Sequence, residues 1–116
     1  MHFKLIIALT NDQKTEEVIT AAKETGAKGV TILNNVRGEG IKENHTFFGL
    51  QLDSPRDMIL FLVEQHLSRE VLEVIKIKGE FDTASGAGIA FQIDVEDAVG
   101  VASQIAALTD VVDEKI

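Results

Sequence analysis

The chain carries the same β-α pattern twice. LIIALTNDQKTEEVITAAKETG begins at Leu5 and MILFLVEQHLSREVLEVIKIKG begins at Met58, and a shift of 53 positions superposes them without a gap, ending on Gly26 and Gly79. Each copy opens with an apolar run of strand character and passes through a polar turn to Thr15 or Ser68, residue types that cap helices. Val18, Ile19 and Ala22 then recur at helical spacing, as do Val71, Leu72 and Ile75 in the second copy. Gly26 and Gly79 are expected to stop the helices because glycine accepts positive φ. GVTILNNV from Gly29 and GIAFQIDV from Gly88 read as the strand that follows each helix.

The order β-α-β, long loop, β-α-β predicts a ferredoxin-like α+β sandwich: a four-stranded antiparallel sheet with two helices on one face. DVEDAVGVASQIAAL reads as a short C-terminal helix capped by Asp94, with Val95, Val99, Ala102 and Ile105 as its apolar strip. A chain of 116 residues fits one domain spanning 1–116. Two helices cover only one face of such a sheet, yet runs such as Met58–Val63 are apolar on both parities. That pattern predicts that both faces are buried, the second by self-association.

Composition removes several function classes. The net charge is −8 and the basic residues are scattered singly, which argues against nucleic acid and anionic membrane surfaces as partners. There is no cysteine, so disulfide and thiolate chemistry are excluded, and a reducing cytoplasm is the expected setting. The apolar runs are too short for a membrane span, and the N-terminal one lacks a cleavage site. Catalysis has no support, since Ser68 and Ser85 are not set with a base, and Asp94, Glu96 and Asp97 fit a helix start. His2, His45 and His66 are far apart in sequence, so no metal site is expected.

One stretch breaks the regular pattern. VRGEGIKENHTFFGLQLDSPRD, from Val36 to Asp57, has neither helical nor strand period and includes the single proline. Long irregular segments inside a compact domain tend to be functional, so residues 37–57 are read as an interaction loop. Lys42 and Arg56 bracket it, while His45, Phe47 and Phe48 form a candidate partner-binding tip.

GVTILNNVRGEGIKENHT resembles the part of the PII nitrogen-regulatory signalling proteins where a strand passes a Gly-x-Gly turn into the T-loop. The similarity resumes at PRDMILFLV and continues through GEFDTASGAGIAF and DVEDAVGV, covering about Lys4 to Val101. The resemblance implies a homotrimeric regulator, not an enzyme, that binds an adenine nucleotide (ATP, ADP or AMP) between subunits. It further implies an unidentified protein target reached through the loop, with nitrogen metabolism as the setting. Carried over by position, Thr31, Gly38 and Gly40 line one side of the nucleotide cleft. Gly86 and Gly88 supply backbone donors to phosphate, and Arg56 is the basic residue after the proline.

The chain also departs from that family. The family's phosphate-binding lysine falls at Ile89, its two C-terminal arginines at Gly100 and Ala102, and its glutamine after the first loop at Lys42. Charge-assisted hydrogen bonds contribute roughly 1.5–3 kcal/mol each, so losing three cations weakens triphosphate binding. The lack of tyrosine excludes tyrosine nucleotidylation. The same topology fits a CutA-like trimer or an ACT-like amino-acid sensor, and an acylphosphatase would require Arg37 with Asn34–Asn35 as its phosphate turn.

Overall fold

The computed structural model describes residues 1–36, 46–47, 50–51, 56–83 and 88–101; of 46–47 and 50–51 it describes the backbone. The repeat governs the fold. Strand β1 (Phe3–Asn11) and strand β5 (Arg56–Glu64) coincide under the 53-residue shift, and helices α1 (Thr15–Thr25) and α2 (Gln65–Lys78) end in register. Strands β2 (Gly29–Val36) and β6 (Gly88–Val95) start at the glycines expected from the sequence. The sheet order is β2-β5-β1-β6, antiparallel throughout, which is the ferredoxin-like arrangement.

The helices begin differently from the expectation. Neither Thr15 nor Ser68 is a cap. In the first copy Asn11 forms a turn before the helix: Lys14 N–H donates to its carbonyl at 2.9 Å and Gln13 N–H to its Oδ1 at 2.9 Å. In the second copy the strand feeds the helix directly, because the extended Glu64 presents its carboxylate to His66 N–H at 2.8 Å. Such a side-chain acceptor satisfies one of the orphan donors of a helix start. Helix α2 is thereby three residues longer at its N-terminus, and the Ser68 hydroxyl, inside it, donates to the Gln65 carbonyl at 3.0 Å.

The two stop glycines also differ. Gly26 takes φ 134°, and a Cβ there would lie 2.8 Å from Leu67 Cδ1, so both backbone and packing require glycine. Gly79 stays at φ −80°, and Glu80 takes the positive φ of 56° instead. The expected helix from Asp94 does not start there. Asp94 and Val95 continue β6, paired with Lys4 and Phe3, and residues 96–101 are not helical; 102–108 lie outside the described residues. Strand β3 (Thr46–Phe47) pairs with strand β4 (Leu50–Gln51), so the irregular segment contains a short hairpin that its composition did not reveal.

Alternation on the strands builds the core. Ile6 and Ala8 of β1 and Ile59, Phe61 and Val63 of β5 are fully buried beneath Val18 and Ala22 of α1 and Leu67, Val71 and Ile75 of α2. The opposite face is apolar but only half covered in a single chain, so the expectation that both faces are buried holds here for one. Its successive rungs read Leu33–Met58–Leu9–Ile89, Thr31–Leu60–Ile7–Phe91 and Gly29–Leu62–Leu5–Ile93. Leu33 is 44% exposed and Ile93 49%. Phe61→Ala is expected to destabilise the fold by about 3–5 kcal/mol, measured by urea unfolding at fixed protein concentration.

Candidate functional site

The base of the loop is a single rung. Val36 of β2 pairs with Arg56 of β5, and Arg56 pairs with Asn11 of β1, so both ends of the intervening segment are tied to the sheet. Just before it the β2–β5 register shifts between Leu33 and Val36, and Asn35 adopts φ 56°. Asparagine tolerates that left-handed conformation better than most residues. The Asn34–Asn35 pair therefore has a backbone role, a bulge that aims the segment beyond it.

Arg56 and Asp57 belong to β5 rather than to the loop. Arg56 is 5% exposed and engaged within the fold, not a surface cation, and Asp57 is 7% exposed. Asp57 shares the helix-side parity of Ile59 and Phe61, and its Oδ2 accepts a 2.6 Å hydrogen bond from the Thr15 hydroxyl. That bond joins the residue beside the loop base to the first turn of α1. Asp57's Cα partner Thr10 is fully buried, and its hydroxyl has no hydrogen-bond partner among the described residues. The sequence signal was available: an acid at an inward parity of an apolar strand needs a partner.

Thr31 is exposed in the middle rung of the open face, the polar side chain among apolar neighbours. Gly88 opens β6 opposite Thr10. A Cβ on Gly88 would lie 2.2 Å from Phe81 Cε1 and 2.7 Å from the Leu9 carbonyl oxygen, so close packing explains this glycine without a ligand. The same ring lies 2.3 Å from the Cβ position of Gly79. Phe81 thus sits against both ends of the glycine-rich segment, a contact that sequence reading missed.

Gly38, Gly40, Lys42, His45, Phe48 and Gly86 lie outside the described residues, and Phe47 is described only as backbone in β3. Of the carried-over positions, Arg56 and Gly88 flank the C-terminal end of β1. Thr31 is on the opposite edge strand from Gly88, three inter-strand spacings or roughly 14 Å across the sheet and three residues further along it. One chain does not bring these two together.

The surrounding charges are paired. Lys14 Nζ meets Glu80 at 3.1 Å and Glu17 at 3.9 Å, and the hydrogen bond to Glu80, then Glu17's charge, raises the ammonium above its ordinary range. Lys76 meets Glu73 at 2.8 Å and Asp82 at 3.9 Å. The hydrogen bond between Lys76 and Glu73 pushes the lysine up and the glutamate down. Lys76, Phe81, Asp82, Gly88 and Ile89 share the lining of a cavity of about 250 Å³ beside α2. At the other end of the sheet Glu64, 1% exposed, holds His66 through the ring Nδ1. His66 and Ser68 therefore serve separate local bonds. Among the described residues no group of three or more metal-ligating side chains converges, and no helix is long and apolar enough to cross a membrane.

This architecture, two β-α-β halves joined by a segment anchored on one rung, matches solved PII-like structures. CPII from Thiomonas intermedia K12, in a structure bound to ADP, AMP and acetate, superposes with a TM-score of 0.65 at 24% identity, covering 86% of this chain and 92% of that one. A PII-like signalling protein from Thermus thermophilus gives a TM-score of 0.59 at 21% identity, covering 82% and 88%. Among curated proteins, the nitrogen fixation nifHD region glnB-like protein 1 of Methanococcus maripaludis is 28% identical over 101 residues, 84% of this chain and 92% of that protein. The family model for nitrogen regulatory protein P-II matches residues 3–104, and the chain belongs to that family. Its members are trimeric regulators that act on targets and are not enzymes, which supports a regulatory role here.

Thr15→Val removes the hydroxyl that serves buried Asp57, and is expected to cost about 1.5–3 kcal/mol. Thr15→Ser should recover most of that loss, both read by urea unfolding.

Proposed function

We propose that the chain, acting as one domain over 1–116, is a trimeric regulator whose subunits form adenine-nucleotide clefts between them. The segment beyond the Val36–Arg56 rung signals occupancy to a target protein, in the cytoplasm and in nitrogen metabolism. The observation that carries this reading is the placement of Thr31 and Gly88 on opposite sheet edges. Residues that the family places around one nucleotide then come from two copies, and the half-covered apolar face supplies the contact that brings copies together. Thr31, with Gly38 and Gly40, would line one side of the cleft, and Gly86 and Gly88 of the neighbouring subunit would offer backbone donors to phosphate, with Arg56 as the basic residue. Lys42, His45, Phe47 and Phe48 would meet the target. The ADP and AMP bound to CPII support adenine as the base recognised.

Sedimentation is expected to give a trimer at micromolar concentration. Thermal unfolding with adenine nucleotides should then show stabilisation; a ligand at 100 times its Kd adds about 2.7 kcal/mol. Because Arg56 is buried, the readout for Arg56→Ala is the ligand-induced increment rather than Tm itself, and that increment should shrink. A monomer, or a trimer unmoved by every adenine nucleotide, would remove the nucleotide cleft.

A further inference from the structure

We infer that the loop end of the sheet takes an adenine nucleoside carrying at most one phosphate and discriminates against di- and triphosphates, with Ile89 setting that preference. This rests on the nucleotide reading above and narrows it to a ligand class.

Ile89 follows Gly88, the described glycine proposed as a phosphate donor, and pairs with Leu9 on the open face. There it packs against Leu9, as Val36 and Met58 also do, in a small apolar cluster separate from the main core. The position beside the backbone donor is therefore given to an apolar contact instead of a cation. Such a patch suits the flat, largely apolar body of a nucleoside and offers nothing to a chain of phosphates.

Among the described residues, the nearby cations do not fill the gap. Lys14 is held by Glu80 and Glu17, and Lys76 by Glu73 and Asp82, so each ammonium is already matched to two carboxylates. Arg56, the cation that the nucleotide reading places in the cleft, is buried in its rung and engaged, and a single guanidinium matches a single phosphate. Asp57 adds a buried acid beside that rung, and the chain as a whole carries −8. Every phosphate beyond the first would approach a region where the described positive charge is neutralised and the background is negative. Like charges across an exposed site repel, and salt screens that repulsion.

The test is calorimetric titration of the size-checked protein with adenosine, AMP, ADP and ATP, without magnesium. AMP is expected to bind about tenfold or more tightly than ATP, and ATP affinity should rise as NaCl goes from about 50 to 300 mM. A site built on cations would show the opposite order and lose ATP affinity with salt. Ile89→Lys, checked by circular dichroism, should gain about tenfold or more for ATP with little change for adenosine. If that variant does not fold, the order of affinities and the salt dependence of the unaltered protein decide the matter.

ATP binding tightest and weakening with salt would overturn the preference and leave the nucleotide reading intact. If the unaltered protein binds none of the four, the preference falls together with the nucleotide reading, whatever Ile89→Lys binds.

Discussion

The pairing of β1 with β5 is the contact on which the rest of the molecule depends. It joins the two copies of the repeat along nine residues, from Phe3–Glu64 to Asn11–Arg56. Ile7 faces Leu60 in this ladder, and Leu60 is also the residue that the 53-residue shift assigns to Ile7. The register thus creates a pseudo-two-fold axis through that pair, which sets both helices on one face. A slip by one residue would turn Ile59, Phe61 and Val63 away from the helices. At the ends of the ladder the symmetry of position is kept while chemistry diverges: Asn11–Arg56 lies at the loop base, Phe3–Glu64 at the start of α2.

The symmetry breaks at the edges, where the candidate site lies. Gly29 begins β2 opposite Leu62, whose repeat equivalent is Leu9, but Gly88 begins β6 opposite Thr10. That offset of one residue sends Gly29 to the open face and Gly88 to the helix side. Gly88 consequently meets the Phe81 ring, while Ile89 turns to the open face and joins Leu9 and Met58. The longer connection in the second half is the covalent side of the same asymmetry. A perfect repeat would give two equal edges; the offset gives two different ones, and different edges can meet across a subunit boundary.

Much of the fold was legible because periodicity reports burial. The strands after each helix begin at Gly29 and Gly88 as the pattern predicts, and the helix stripes at Val18, Ala22, Val71 and Ile75 are buried. What was not legible depends on choices made by neighbours. Ser68 looks like a cap, but Glu64 captures the helix start three residues earlier. Asp94 and Val95 look like a helix start, but β1 offers ladder partners in Phe3 and Lys4, and the Lys4 ammonium binds the Asp94 carboxylate. That bond also holds the carboxyl below its ordinary range. Arg56 and Asp57 look like loop residues by polarity, yet pairing with β1 draws them into the sheet and the Thr15 hydroxyl reaches Asp57. Tertiary partners overrode local preference in each case.

The departures from the family pattern fit the backbone that carries them. Gly100, where the resemblance places an arginine, adopts φ 80° with nothing among the described residues within 4 Å of its Cβ position. A residue with a side chain in that left-handed conformation would be strained by roughly 1–2 kcal/mol. Ile89, where the resemblance places a lysine, has apolar neighbours whose contact a charged group would forfeit unless its stem alone lay along them. Neither position is a cation site that merely lost its charge: one has become a turn and the other an apolar contact. Restoring a lysine at Ile89 asks little of the sheet, because its stem can follow the isoleucine across Leu9. Restoring an arginine at Gly100 asks the turn itself to change. The two losses are thus unequal: a cation is more readily restored on the sheet than in the segment that follows it.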